Sequence, residues 1–272
     1  MTSANEILYA IPTWVIALIL LALSLGMINL GTRFGRKQAK ASAAGAETQT
    51  KALRASLLGL LALLVGFSFS LAMARFEDRS DALVSEANAI GTAWLRSDLL
   101  DGADREALRS ALADYAQSRM AAGSFDLSQA ADYGSEAQKW ETAFTTAWAI
   151  GSQAVRKLPN PATMAVASAL NDMTDSFAAN EAALNRHVPE YVLIMMLVTM
   201  LFLSWVVGHA SGEDRGRTPV PMVLTIGLIV LLLALIMDLD RPRRGVIQVD
   251  QTPMVNTVTH ILTEAGRVPA VN

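Results

Sequence analysis

Four apolar runs, each close to the twenty residues that a bilayer core requires, decide what this chain can fold into. They cover about Ile11–Leu30, Ala55–Ala74, Tyr191–Gly208 and Val220–Met237. Polar or charged residues bound each run: Arg33 and Arg36 after the first, Arg54 and Arg75 around the second, Glu190 and His209 around the third, and Arg217 and Asp238 around the fourth. The alternative, four core helices of a soluble protein, fails on arithmetic, because too little polar chain remains to bury them. The low charged fraction of 17% follows from the same runs. The expectation is an all-α membrane protein with four transmembrane helices in two pairs, flanking a helical extramembrane domain.

The first run is read as a retained helix and not as a cleaved leader. It has no basic segment before it, its positive charge follows it, and no small-x-small cleavage site comes after. Tyr9, Trp14, Tyr191 and Trp205 fit interfacial anchors. The linker Arg33–Arg54 carries Arg33, Arg36, Lys37, Lys40, Lys51 and Arg54 against Glu47 alone, which by the positive-inside rule places it in the cytoplasm and the helical domain outside. Arg75, Arg79, Arg241, Arg243 and Arg244 flank the opposite side and narrow the margin.

The spacing divides the chain into a first transmembrane pair over 8–75, a helical domain over 76–187, a second pair over 188–240 and a tail over 241–272. The segment Phe76–Leu100 continues the second span without a proline, with Leu83, Ala87, Ile90 and Trp94 at helical spacing, so one helix is expected to run on out of the membrane. Asp104 is expected to cap a second helix bearing Leu108, Leu112 and Tyr115. A third, about Ser128–Arg156, carries Trp140, Phe144 and Trp148 four residues apart. Asn160 followed by Pro161 marks the start of a fourth, with Val166, Leu170, Met173 and Phe177 on it. Val246–Val249 reads as a short extended piece of the tail.

Within the second span Ala62, Gly66, Ser70 and Ala74 recur every four residues. Small residues let helix backbones approach closely in lipid, where the hydrophobic effect supplies no attraction between helices. Gly59, Leu63 and Phe67 lie beside them. Two readings stand: an ordinary packing seam, or a helix packed around a symmetry axis with Leu63 and Phe67 forming an apolar constriction. Asn88 is expected to find a hydrogen-bond partner inside the helical bundle. Asp98, Asp101 and Asp104 read as caps and a solvated turn before cation ligands.

The chain has no cysteine, and its three histidines, His187, His209 and His260, are far apart in sequence. No metal, cofactor or catalytic motif is present: no GxGxxG, Walker A, HExxH or GxSxG. The net charge of −3 gives no reason to expect a nucleic-acid partner. No ionisable residue lies near the centre of a span, which argues against proton-coupled transport.

The run Leu57-Leu58-Gly59, then Gly66-Phe67-Ser68, then Ala74-Arg75-Phe76-Glu77-Asp78-Arg79, and finally Glu86-Ala87-Asn88-Ala89 resembles bestrophin-like bacterial membrane proteins, in particular the DUF4239 branch. The tail Leu239-Asp240-Arg241-Pro242-Arg243-Arg244-Gly245 is similar to that branch too. Arg75, Arg79, Glu86, Asn88, Asp240, Arg241, Pro242 and Gly245 are the polar and turn positions of this resemblance, which covers about residues 53–255. It implies a bacterial inner-membrane protein with a cytoplasmic helical domain, opposite to the positive-inside reading. It also implies a homo-oligomer, a pentamer in bestrophins, that passes small anions through a neck on the second helix. Gly59, Leu63, Phe67 and Ser70 would form that neck, with Ala62, Gly66 and Ala74 as the packing stripe. The chain departs from the family pattern at Gly59, where a bulky residue is usual, and the acidic calcium clasp after the tail turn is not reproduced. The rival expectation is a non-conducting membrane scaffold or sensor whose helical domain binds a partner, and an enzyme is disfavoured.

Overall fold

The computed structural model describes residues 12–38, 46–124, 130–213, 220–241 and 246–267. Among them are eight helices: α1 (Thr13–Gln38), α2 (Ala46–Ser97), α3 (Gly102–Ser124), α4 (Ala130–Lys157), α5 (Pro161–Leu184), α6 (Glu190–Glu213), α7 (Val220–Asp240) and α8 (Thr252–Glu264). No strand occurs among the described residues. Four helices are long and apolar enough to cross a membrane, at Thr13–Gln38, Ala55–Ser97, Tyr191–Gly212 and Val220–Asp240, as the four runs require. The chain forms two compact units. One takes the described residues up to Arg75 and those of His187–Ile247; the other takes Phe76–Arg186 and the described residues from Gln248 on.

In the first unit α1 and α6 cross backbone to backbone. A Cβ on Gly208 would run into the carbonyl oxygen of Ile28 and lie 2.8 Å from its Cα, one on Gly212 would meet the Thr32 oxygen, and one on Gly31 would meet the Trp205 oxygen. The sequence cause is two glycine pairs at four-residue spacing, Gly31/Gly35 and Gly208/Gly212, a spacing that puts both glycines of a pair on one helix face. Hydroxyls within these apolar helices turn back onto their own backbone: Ser24 donates to the Leu20 oxygen, Thr32 to Ile28, Ser204 to Met200 and Ser211 to Val207. No polar group is thereby left facing hydrocarbon without a partner at these sites.

The end of α7 is pinned by two buried carboxylates. Asp238 accepts from Thr13 Oγ1 at 3.1 Å and from the Ile247 N–H at 2.9 Å. Asp240 accepts from the Val188 N–H at 2.9 Å, just before α6 begins.

The second unit packs α3, α4, α5 and the later part of α2 around Trp94, Leu108, Leu112, Leu170 and Met173. Asn160 caps α5 as the sequence indicates. Its side chain accepts from the Thr163 N–H at 2.9 Å, and the Thr163 hydroxyl accepts from the Asn160 N–H at 3.2 Å. The cap expected at Asp104 is displaced: α3 already starts at Gly102, which takes a positive φ of 52°, and Asp104 lies inside the first turn, bound to Lys157 Nζ at 2.9 Å. The tail is more than an extended piece. Met254, Val258, Ile261 and Leu262 of α8 are buried in the core of this unit, because an amphipathic thirteen-residue helix supplies them on one face.

Candidate functional site

The residues singled out in the sequence fall mostly on α2, and its helical phase sorts them. At about 100° per residue, Gly59, Leu63, Gly66, Ser70 and Ala74 share one direction within the first unit to about 40°, and Glu77, Asp81, Val84, Asn88 and Leu95 share one within the second. Every one of these is exposed. In each unit the face opposite is buried: Leu61, Ser68 and Ala72 in the first, and Arg79, Glu86, Ile90 and Ser97 in the second. Phe67, beside the open direction, is 68% exposed and Leu63 is 55% exposed. Ala62 is exposed as well. A Cβ on Gly59 or Gly66 would meet nothing within 4 Å. Among the described residues, nothing in this protomer packs against the small-residue stripe.

Asn88 lies on this open face and not inside the bundle, so the expected internal partner is absent among the described residues. Its neighbour Glu86 takes the buried role. Glu86 accepts from Arg119 Nε at 2.6 Å and Nη2 at 3.0 Å, and from Asn180 Nδ2 at 2.5 Å. The Arg119 guanidinium carbon lies 4.8 Å from the Trp140 ring centre and 4.6 Å from that of Phe177. Burial works against the arginine's charge, but the hydrogen bonds and the charge of Glu86 outweigh it and raise its pKa. Burial, and then Glu86, pushes the Tyr115 hydroxyl well above its ordinary range. Sequence spacing offered no route to Arg119 and Asn180, which lie 33 and 94 residues from Glu86.

The remaining motif residues are spread out. Arg75 is half-buried, and Arg79 is buried with Nη2 donating to the Arg186 oxygen at 3.3 Å. Asp240 and Arg241 are buried in the first unit. Pro242 and Gly245 lie outside the described residues. Elsewhere in the second unit an open groove of about 880 Å³ lies along α3 and α4, walled by Asp114, Gln117, Ser118, Gln138, Lys139 and Thr142 among others.

The bestrophin-like domain family matches residues 17–254. The chain belongs to that family. A comparison with curated proteins found no match. Solved structures share the fold. A bacterial bestrophin homologue from Klebsiella pneumoniae carrying a single substitution has 16% identity and a TM-score of 0.68, over 92% of this chain and 97% of that one. A further structure of the Klebsiella pneumoniae homologue gives 16% and 0.68 over 93% and 98%. A structure described as a membrane protein variant gives 15% and 0.69 over 91% and 98%. This bestrophin-like chain is thus an integral membrane protein of bestrophin fold, and the match runs from α1 into the start of α8.

Proposed function

We propose that copies of this protein assemble in a bacterial inner membrane around their α2 helices, as bestrophins do, and pass small ions along the axis. The observation that carries this reading is the chemistry of the open α2 face. The exposed faces of α1, α6 and α7 carry large apolar residues suited to lipid: Trp14, Leu18 and Leu23; Met195, Val198 and Phe202; Leu224, Leu228 and Leu231. The open face of α2 carries Gly59, Gly66, Ser70 and Ala74, which gain little from lipid tails and allow close approach to another helix. Leu63 and Phe67 then stand at the narrowest level and gate by excluding water. Gly59 widens the entrance above them. The family resemblance brings pentamers and anions as its expectation.

Two measurements test the reading. Native mass spectrometry should find a closed ring of copies, and ion flux in liposomes should rise on Phe67→Ala. A monomer or dimer, or no flux before and after that substitution, would overturn it. The groove along α3 and α4 favours the scaffold reading in which the helical unit binds a partner, and a non-conducting protein of low stoichiometry would support that instead.

A further inference from the structure

We propose that the C-terminal end of α1 binds an anionic phospholipid, with Arg33 and Lys37 on its phosphate and Ile19, Leu23 and Leu30 along its acyl chains. Only α1 and α6, both in the first unit, build this site, so it does not depend on a pore. At 100° per residue Ile19, Leu23, Gly26, Leu30, Arg33 and Lys37 share one direction of α1 to within about 40°. All six are exposed. The lane is apolar as far as Leu30 and basic after it. A Cβ on Gly26 would meet nothing within 4 Å, which leaves room in the lane for a chain to lie close to the helix. Leu23 and Arg33 are ten residues apart, about 15 Å along a helix rising 1.5 Å per residue. That is the depth of one leaflet of a hydrocarbon core roughly 30 Å thick. The lane therefore presents the parts of one phospholipid in order, acyl chain and then phosphate.

Charge singles out this end of the helix. Arg33, Arg36 and Lys37 are exposed, and none has an ion-pair or hydrogen-bond partner among the described residues. Arg36 flanks the lane, about 60° from Arg33. The stretches that lead from α1 into α2 and from α6 into α7 add Lys40, Lys51, Arg54, Arg215 and Arg217 against Glu47, Glu213 and Asp214. The buried Asp238 belongs to the other end of α1. It accepts from Thr13, twenty residues before Arg33, about 30 Å away along the helix. The α1 dipole places about half a negative charge at its C-terminus and opposes a bound anion there, but three full positive charges exceed it. The backbone that carries them is held in place. A Cβ on Gly212 of α6 would lie 2.9 Å from the Arg36 nitrogen, so the two helices are in backbone contact at this level. His209 Nε2 lies 3.1 Å from Gln38 Oε1 and ties the last turn of α1 to α6. Basic side chains at any membrane helix end reach for the headgroups. Here two of them continue an apolar lane on a fixed backbone, so they meet the phosphate of the same lipid whose chains fill that lane, and the guanidinium of Arg33 can bind it through two parallel hydrogen bonds.

Native mass spectrometry of the purified, delipidated full chain tests the site by titration with phosphatidylglycerol and, separately, with phosphatidylcholine. Phosphatidylglycerol should bind ~25-fold more tightly, at roughly fivefold for each of the two lane cations. Arg33→Gln/Lys37→Gln should remove that factor and leave phosphatidylcholine binding unchanged, whereas the charge-keeping exchange Arg33→Lys/Lys37→Arg should retain most of it. Arg105→Gln/Arg156→Gln, which takes two exposed charges from the second unit, should change nothing. Equal binding of the two lipids would overturn the proposal. A preference that survives Arg33→Gln/Lys37→Gln would overturn the assignment to these residues, and an equal loss in the second-unit control would reduce the effect to net charge and overturn the site. Displacement of phosphatidylglycerol by millimolar inorganic phosphate would mark a free-anion site and overturn the lipid as its ligand. An unchanged melting temperature of Arg33→Gln/Lys37→Gln in detergent shows that its fold is intact.

Discussion

Gly208→Ala tests the α1–α6 crossing with a single methyl group. The added Cβ would collide with the Ile28 carbonyl oxygen and lie 2.7 Å from its carbon and 2.8 Å from its Cα. An ordinary carbon–carbon contact is about 3.5–4.0 Å, so one backbone must move by about 1 Å relative to the other. Neither can yield as a flexible side chain does, because both atoms belong to helices held by their own hydrogen bonds. Overpacking of this kind costs about 1–3 kcal/mol. The same substitution gains up to ~1 kcal/mol of helix propensity, so the clash has to be read against a matched control. Gly227→Ala on α7 supplies it, since a Cβ there meets nothing within 4 Å. In a detergent thermal-shift assay Gly227→Ala should be neutral or slightly stabilising. Gly208→Ala should melt lower than that control by about 4–8 °C for a net difference near 2 kcal/mol. Equal melting of the two variants would refute the backbone-to-backbone crossing.

Three further outcomes follow from particular contacts. Glu86→Ala leaves the Arg119 charge buried without its carboxylate and should cost about 3–5 kcal/mol, whereas the apolar double replacement Glu86→Leu/Arg119→Met should recover much of that loss in denaturant unfolding. Asn160→Ala removes the α5 cap and should cost about 1 kcal/mol, with faster amide exchange confined to the first turn of α5. Phe67→Ala should raise ion flux without lowering the melting temperature, because the ring is 68% exposed in the protomer and little of it is buried to lose.

The spans were legible because their signal is length and apolarity, which need no knowledge of neighbours. Asn160-Pro161 was legible for a related reason: a cap acts on residues three positions away. The double glycine spacing at Gly31/Gly35 and Gly208/Gly212 is present in the sequence too, but spacing alone does not say which helix each glycine face meets. What single-chain periodicity could not supply was the long-range pairing of Glu86 with Arg119 and Asn180. Complementary charges 33 residues apart have many possible partners, and only the packing of α2 against α3 and α5 selects one.

The case of α2 shows why the site itself was half legible. Its helical period groups Ala62, Gly66, Ser70 and Ala74, with Gly59, Leu63 and Phe67 beside them, but a period has no sign: it cannot say which face the rest of the chain covers. Glu86 and Asn88 illustrate this. They are two residues apart and both polar, and the same spacing argument applies to each, yet one is buried in an ion pair and the other is exposed. The difference is set by Arg119, which can neutralise only the side that Glu86 occupies. Burying the charged residue with its partner leaves the uncharged Asn88, and farther along the same face Asp81 and Glu77, to whatever lies outside the protomer. Glycine and alanine on an exposed face of an apolar helix gain little from lipid tails and admit a second helix backbone, so the face that the period could not sign is the one on which copies of this chain are proposed to meet.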